Sequence, residues 1–428
     1  METDLIIIGS GPGGYRSAEY AAKKGLQVTI FEGATIGGTC LNCGCIPTKT
    51  FCHAASLEKK EFITASEHKN AVVEQLRQGV EQLMTMPGIT LVKGWATFVD
   101  NNTVECSGET YQAKNIIIAT GSKAKIPPIE GVNLPHVLTS TELLDIDHVP
   151  TNLVIIGAGV IGMEFASIFN SFGSKVTVIE FLKECLPSID SEIAKRLRKS
   201  LEKKGVDFMM QSAVKLITPD SVVFERKGKE TSIVADTVLI ATGRSANIDQ
   251  LHLENTDVKT ERKGISVNEN MQSSVPHIYA IGDANGNILL AHAATMQGIR
   301  AVNHMIGQKD QIRLDIMPAA VFTTPEVASV GKTEDECKEQ GMDYICKKGL
   351  YRANGKALSM NETEGLLKLL ADRNGHIIGC HAMGAHAADM IQETAALMNF
   401  NATIEQLKDI VHIHPTLGEI LQATAEQF

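Results

Sequence analysis

This chain has no excess of positive charge. The 40 basic residues are outnumbered by 50 acidic ones, giving a formal net charge of -10. Phosphate backbones are bound by grouped positive charge, so this balance argues against a nonspecific nucleic-acid binder and suits a small basic partner better. Nor does any apolar run reach the roughly eighteen residues that a membrane span needs. Nothing ahead of the strand-like run at 5–8 resembles a signal or transit peptide, so cytoplasmic residence is the expectation, with a processed organellar protein reading the same way. Low-complexity sequence and long disordered linkers are lacking too. What remains is an ordinary globular composition, 43% hydrophobic over 428 residues, long enough for two to four domains. In a reducing compartment its nine cysteines should be mostly thiols, and a close-set group of them points to catalysis or metal binding rather than to a structural disulfide.

The most informative feature is an internal repeat. DLIIIGSGPGGYRSAEYAAKKGLQVTIFE (4–32) aligns without a gap on NLVIIGAGVIGMEFASIFNSFGSKVTVIE (152–180), with eleven of 29 positions identical. Each copy reads as a buried strand, a GxGxxG turn, an amphipathic helix and a second strand ending in an acid. In such a unit the first glycine (Gly9, Gly157) permits the turn and the second (Gly11, Gly159) lets backbone approach a pyrophosphate. The third (Gly14, Gly162) lets helix and strand pack closely. Glu32 and Glu180 stand where a carboxylate can accept both ribose hydroxyls, although a solvated strand end would look alike. Two dinucleotide units in one chain suggest electron transfer between a flavin and a nicotinamide. Glu180 favours NAD, because a carboxylate there repels the 2'-phosphate of NADP.

A second repeated element follows. IIIATGS (116–122) and VLIATGR (238–244) each close a nucleotide unit with a glycine turn, at Gly121 and Gly243. IYAIGDANG (278–286) is a further strand, ending in Gly282-Asp283, where an acid can bind a flavin ribityl or phosphate-bearing arm or can simply make a turn. Beyond Pro318 come strand-like runs and two helical stretches without a nucleotide signature, suited to substrate contact or assembly.

GGTCLNCGCIPTK (37–49) places Cys40, Cys43 and Cys45 together, with His53 nearby. A zinc site would be expected to bring a second paired knuckle, which is missing, so no metal is expected; three inert thiols so close together would be unusual. A redox disulfide is the stronger reading, and CxxC spacing leaves Cys40 with Cys43 open beside the other pairings.

That segment resembles the active-site segment of the pyridine nucleotide-disulfide oxidoreductases, with Cys40 and Cys45 on the family's CxxxxC positions, and the resemblance covers essentially the whole chain. CLNxGCIPxK, Glu180 and the C-terminal HIHPTLGE are most similar to the dihydrolipoamide dehydrogenase branch. Glutathione and mercuric reductases use NADP, the mercuric reductases end in a cysteine pair, and the oxidases and peroxidases of the fold keep one cysteine here. This chain departs from the pattern in carrying Cys43 where an aliphatic residue is usual, and in shortened stretches at 52–72 and 216–234.

The resemblance implies an α/β fold with two Rossmann-like domains, a central domain and a C-terminal α+β dimerisation domain. The expected bounds are 1–145 for FAD, 146–249 for NAD, 250–317 for the central region that completes the FAD site, and 318–428 for the interface. It implies FAD and NAD as cofactors, with Lys49, Gly121, Gly282, Asp283 and Ala291 joining Gly9, Gly11, Gly14 and Glu32 around the flavin nucleotide. Glu164 and Gly243 join Gly157, Gly159, Gly162 and Glu180 around NAD, with Glu164 as ion-pair partner of Lys49. Cys40 is assigned to thiol exchange, Cys45 to the flavin, His414 to the base and Glu419 to orienting it. In the family that histidine comes from the other subunit, so a homodimer is implied, as is a lipoyl-bearing acyltransferase or glycine cleavage lipoyl protein as partner. Locally, Pro415 reads as the first residue of a terminal helix and His412 as a packing residue. The competing readings are another NAD(P)H-dependent disulfide reductase and a noncatalytic flavoprotein subunit of a multienzyme complex.

Overall fold

The computed structural model describes residues 2–57 and 61–428; Glu58, Lys59 and Lys60, part of the shortened stretch at 52–72, lie outside the described residues. The chain forms two compact units. One comprises Met1–Thr50, Thr64–Lys125 and Gly243–Leu314, the other Phe51–Ile63, Ile126–Thr242 and Asp315–Phe428. Among the described residues no helix is long and apolar enough to cross a membrane.

In the first unit, the strands Ile89–Lys93, Val28–Glu32, Glu2–Ile8 and Glu109–Ile118 lie side by side in that order and are parallel; Ile278–Ala280 adds to the last of them. Two antiparallel strands, Thr103–Cys106 and Ala96–Phe98, extend the sheet. A parallel sheet covered on both faces needs strands without polar alternation, and Leu5 to Ile8 and Ile116 to Ile118 supply them. Their side chains divide between two cores: Ile6, Ile8, Ile116 and Ile118 pack with Phe31 and Phe98, while Leu5, Ile7 and Ile117 pack with Ala18, Ala21 and Ile30.

The second unit contains the repeat of that motif. Asp207–Met210, Lys175–Glu180, Asn152–Ile156, Thr237–Ile240 and Val137–Leu138 form a five-stranded parallel sheet. The shortened stretch at 216–234 falls in a three-stranded antiparallel meander, Ser212–Ile217, Ser221–Arg226 and Lys229–Val234. From Ala319 onward the architecture is α+β: five antiparallel strands, in the order Ala319–Val321, Val327–Gly331, Ile377–Met383, Leu366–Asp372, Tyr344–Leu350, with the helices Ala387–Asn399 and Glu419–Ala425 sharing their core. The fold is therefore α/β with two Rossmann-like units and a C-terminal α+β part.

A buried charge cluster ties the C-terminal strands to the helix Ser191–Lys203, which follows the strand Lys175–Glu180 of this unit's parallel sheet. Lys368 is almost fully buried and reaches Asp190 Oδ2 and Glu334 Oε2, each at 2.7 Å. Asp190 is also the N-cap of the helix Ser191–Lys203, accepting from the N–H groups of Glu192 and Ile193. Burial opposes the charge on Lys368, but the two carboxylates more than offset it and hold the ammonium above the ordinary lysine range.

Candidate active site

The two glycine loops are built alike. Gly9 and Gly157 take φ of +103° and +108°, left-handed values that favour glycine. A β-carbon on Gly14 would lie 1.9 Å from the Gly9 carbonyl oxygen, and one on Gly162 would lie 2.0 Å from that of Gly157, so the third glycine of each loop is a packing requirement. The second glycine differs. A β-carbon on Gly159 would meet nothing within 4 Å, and one on Gly11 would meet only Gly38 Cα at 4.0 Å. Both are N-caps without a side-chain hydrogen bond, so open space lies beside the N-termini of the helices Pro12–Lys23 and Val160–Ser171, the positive ends of their dipoles. Open space at a helix N-terminus is the kind of cradle that suits a pyrophosphate.

The two acids also match. Glu32 accepts from Ser10 N at 3.0 Å and from Ala34 N at 2.8 Å; Glu180 accepts from Ala158 N at 2.6 Å and from Leu182 N at 2.7 Å. Each carboxylate therefore spans its glycine loop and the bend beyond its own strand, at the carboxyl edge of a parallel sheet where nucleotides bind.

In the first unit the other residues expected around the flavin lie as follows. Gly121 has φ +69° and open space where a side chain would stand. Gly282 N–H donates to Gln297 Oε1 at 2.7 Å, and Asp283 accepts from Ser122 Oγ, which itself accepts from Arg244 Nε at 2.7 Å. Ala291 opens the helix Ala291–Met305, whose N-cap Leu290 offers no side-chain bond. That helix packs beside Pro12–Lys23, with Thr295 Oγ1 donating to the Pro12 carbonyl at 3.5 Å. Thr120 Oγ1 and Asn42 Oδ1 are buried in this unit without a protein partner. Open helix ends, an oriented acid and orphaned acceptors fit a bound dinucleotide.

The cysteine segment lies directly on the first glycine loop. Gly37 N–H donates to the Ser10 carbonyl at 3.1 Å. Gly38 has φ +63°, and a β-carbon there would lie 2.6 Å from Gly11 Cα, so only glycine allows so close an approach. Cys40 and Cys43 ride on the short helix Gly38–Cys43; Gly44 breaks it, and Cys45 begins the helix Cys45–Ser56. This break folds the chain so that Cys45 comes beside Cys40. The Cys45 thiol, together with burial, pushes the Cys40 thiol well above its ordinary range, with Lys49 opposing. Cys43 is half-buried rather than packed away. Among the described residues no group of three or more His, Cys, Asp or Glu side chains is placed to hold a metal ion.

His414 and Glu419 belong to the other unit. His414 is exposed, and its Nδ1 lies 2.8 Å from Glu419 Oε1, while Glu419 Oε2 accepts from Thr416 N, also at 2.8 Å. The His414 hydrogen bond, then the Thr416 N–H, hold the Glu419 carboxyl below the usual carboxylate range. With Nδ1 donating, a neutral ring keeps its lone pair on Nε2. Pro415 does not start the terminal helix: the His414-Pro415 peptide is cis, and the helix begins at Glu419 after the N-cap Gly418. The residues between them form a turn that Glu419 closes through Thr416 N. Glu164 is buried on the helix Val160–Ser171 and accepts from Phe322 N at 2.9 Å; Lys49 sits on Cys45–Ser56 in the first unit's portion of that helix. Gly243 has φ +107° with open space beside it.

Three features escaped the sequence reading. Ser122 and Arg244, the last residues of the two repeated turns, pair through the short antiparallel strands Ser122–Ala124 and Arg244–Ala246, and together they orient Asp283. The repeat itself carried that signal, since the two residues occupy equivalent positions. Trp95 lays its ring on Gly33, where a β-carbon would lie 2.3 Å away, beside Glu32. His412 is hydrogen-bonded on both ring nitrogens rather than merely packed.

A dithiol seated on one dinucleotide loop, in a chain that carries a second such loop, defines a nucleotide-linked thiol oxidoreductase. Residues 3–298 match the pyridine nucleotide-disulphide oxidoreductase family and residues 317–425 match its dimerisation domain, and the chain belongs to this family. It is 39% identical to dihydrolipoyl dehydrogenase of Bacillus subtilis, covering 100% of this chain and 96% of the relative. With the mitochondrial dihydrolipoyl dehydrogenase 1 of Arabidopsis thaliana the identity is 36%, over 99% and 90%. Among solved structures it is similar to the HOCl-induced flavoprotein disulfide reductase RclA from Escherichia coli as its Cu(II) complex, with TM-score 0.92 and 31% identity over 100% and 99% of the two chains. FAD and NAD are the cofactors of the protein as a member of this family.

Proposed function

We propose that the protein oxidises protein-bound dihydrolipoamide to lipoamide and delivers the electrons to NAD. The observation that carries this reading is the Cys40 and Cys45 pair seated on the Gly11 loop, in a chain whose second loop ends in the carboxylate of Glu180.

In the oxidised protein Cys40 and Cys45 form a disulfide. His414, with Nδ1 bound to Glu419, takes a proton on Nε2 from one dihydrolipoyl thiol, because the attacking species is a thiolate. That thiolate attacks Cys40 Sγ, breaking the Cys40–Cys45 bond and forming a mixed disulfide. The second lipoyl thiol then displaces Cys40, its proton passing to the departing Cys40 sulfur, so lipoamide leaves oxidised and both cysteines are left reduced. Bound FAD supplies the two-electron path from this dithiol to NAD. Glu419 holds the ring tautomer and stabilises the imidazolium; Gly159 and Glu180 would seat the pyrophosphate and the ribose of NAD. Lys49 and Glu164 are assigned to an ion pair near the flavin. The base comes from the partner subunit of a homodimer, and the substrate arm from a lipoyl-bearing acyltransferase or glycine cleavage lipoyl protein. The four regions bounded at 145, 249 and 317 are the proposed functional division.

A second reading, reduction of a disulfide substrate at the expense of NAD(P)H, draws on the likeness to the E. coli flavoprotein disulfide reductase. Turnover of the purified holoprotein separates the two. Dihydrolipoamide should reduce NAD, with kcat/KM for NAD far above that for NADP, and Glu180→Ala should narrow the gap. No NADH formation from dihydrolipoamide, with efficient consumption of NAD(P)H by another disulfide, would replace the first reading with the second.

A further inference from the structure

We propose that His412, through Glu393, is a positioning residue for the His414–Glu419 pair. This rests on the role of His414 given above.

His412 is the inward-facing member of an alternating segment. Its side chain is 6% exposed, whereas that of His414 is 80% exposed. Its Nδ1 lies 3.0 Å from the Ile410 carbonyl oxygen and its Nε2 lies 2.9 Å from Glu393 Oε1. Glu393 stands on the helix Ala387–Asn399, in the core of the C-terminal α+β part. The Ile410 carbonyl accepts a second bond, from Gln422 Nε2 at 3.3 Å, on the helix that Glu419 begins. The same histidine ring borders Gly418: a β-carbon there would lie 3.5 Å from His412 Cδ2 and 3.8 Å from Glu393 Oε2. One buried ring is thus bonded to the chain four residues before His414 and to a core helix, and it borders the residue that precedes Glu419. His414 and Glu419 meet on a loop, and His412 fixes both ends of it.

The hydrogen-bond arithmetic sharpens the test. A carbonyl only accepts, so the bond to Ile410 calls for a hydrogen on Nδ1 of His412, and the bond to Glu393 runs through Nε2. Glutamine at 393 can turn its amide to donate to Nε2, which keeps the bond without the charge. Alanine removes both. If the pair acts by holding geometry, Glu393→Gln should behave like the wild type and Glu393→Ala should not.

The test uses the holoenzyme with histidine-specific 15N labelling and two readouts. The first is kcat and KM for dihydrolipoamide oxidation. Glu393→Ala and His412→Ala should each lower kcat by about tenfold or more, the scale expected from a small misplacement of a reacting group. KM for NAD should stay within about twofold and flavin content should be unchanged, with Glu393→Gln close to wild type. The second is the pair of ring 15N resonances of His414, which report its tautomer without any substrate. They should shift toward the averaged values of a solvent-exposed ring in Glu393→Ala and stay in place in Glu393→Gln. Unmoved His414 resonances together with kcat within about twofold in Glu393→Ala would overturn the proposal. So would a fall in kcat in Glu393→Gln as large as in Glu393→Ala. Should the wild type not oxidise dihydrolipoamide, the functional reading fails while the His414 resonances still decide the positioning role.

Discussion

At the residue scale, the three clustered thiols are separated by where the backbone breaks. Gly44 ends one short helix and Cys45 starts the next, so the chain turns between Cys43 and Cys45, and it is the Cys45 thiol that acts on Cys40. Cys43→Val should therefore retain most of the turnover with dihydrolipoamide, whereas Cys45→Ser should abolish it. Loss of turnover in Cys43→Val with intact fold and flavin content would mean that the third cysteine takes part. Glu334 supports a different kind of prediction. Burial works against its charge, but hydrogen bonds from Lys368, Lys338 and Tyr344 outweigh that and draw its carboxyl down to about 2 from 4.5. A carboxyl whose pKa is depressed by folding stabilises the fold fully above the unfolded value, and the contribution is lost as pH falls through the folded one. The thermal midpoint should consequently drop between about pH 4.5 and about pH 2, and Glu334→Gln should start lower at neutral pH and flatten that drop.

At the scale of the element, the two helix-opening loops separate glycines required by packing from glycines that leave open space. Gly162 has no room for a β-carbon against Gly157, while Gly159 has open space. Gly162→Ala should cost about 1–3 kcal/mol of stability, the usual range for forcing a methyl group into a packed site. Gly159→Ala should leave the melting temperature unchanged and weaken NAD binding, because its methyl group enters space that a pyrophosphate needs. Calorimetric melting and NAD titration of the two variants check this. If Gly159→Ala binds NAD like the wild type, the open cradle at that helix is not the nucleotide site.

For the whole molecule, the prediction concerns assembly. Phe400, Val411 and Ile413 are 86%, 94% and 79% exposed, large apolar side chains grouped by sequence around His414. Exposed apolar surface of this kind marks a contact with another macromolecule, and the matched dimerisation domain names a second copy of the chain. Mixing inactive His414→Gln subunits with inactive Cys45→Ser subunits, under conditions that exchange protomers, should restore one intact site per mixed dimer. Mixed dimers that form and stay inactive would show that the base is not supplied across the interface.

Short-range features were legible without a structure. The GxGxxG turns, the strands around them and the acids at their ends sit within 29 contiguous residues, where turn chemistry and helix or strand periodicity are local properties. The pairing of Cys40 with Cys45 is implied by resemblance, since spacing alone allowed Cys43 as well; the break at Gly44 is what brings the Cys45 thiol beside Cys40. The start of the last helix was misplaced, because proline suits a first helical position by φ alone while the actual boundary is set by Glu419 reaching back to Thr416. What only tertiary structure decided are contacts closed over long loops. Asp283 is oriented by Ser122 and Arg244, and Lys368 is neutralised by Asp190 and Glu334. His412 is bonded to Glu393 rather than simply buried. Each joins residues whose separation along the chain carries no periodic signal, so their partners are chosen by packing and by the cost of leaving a buried polar group unpaired.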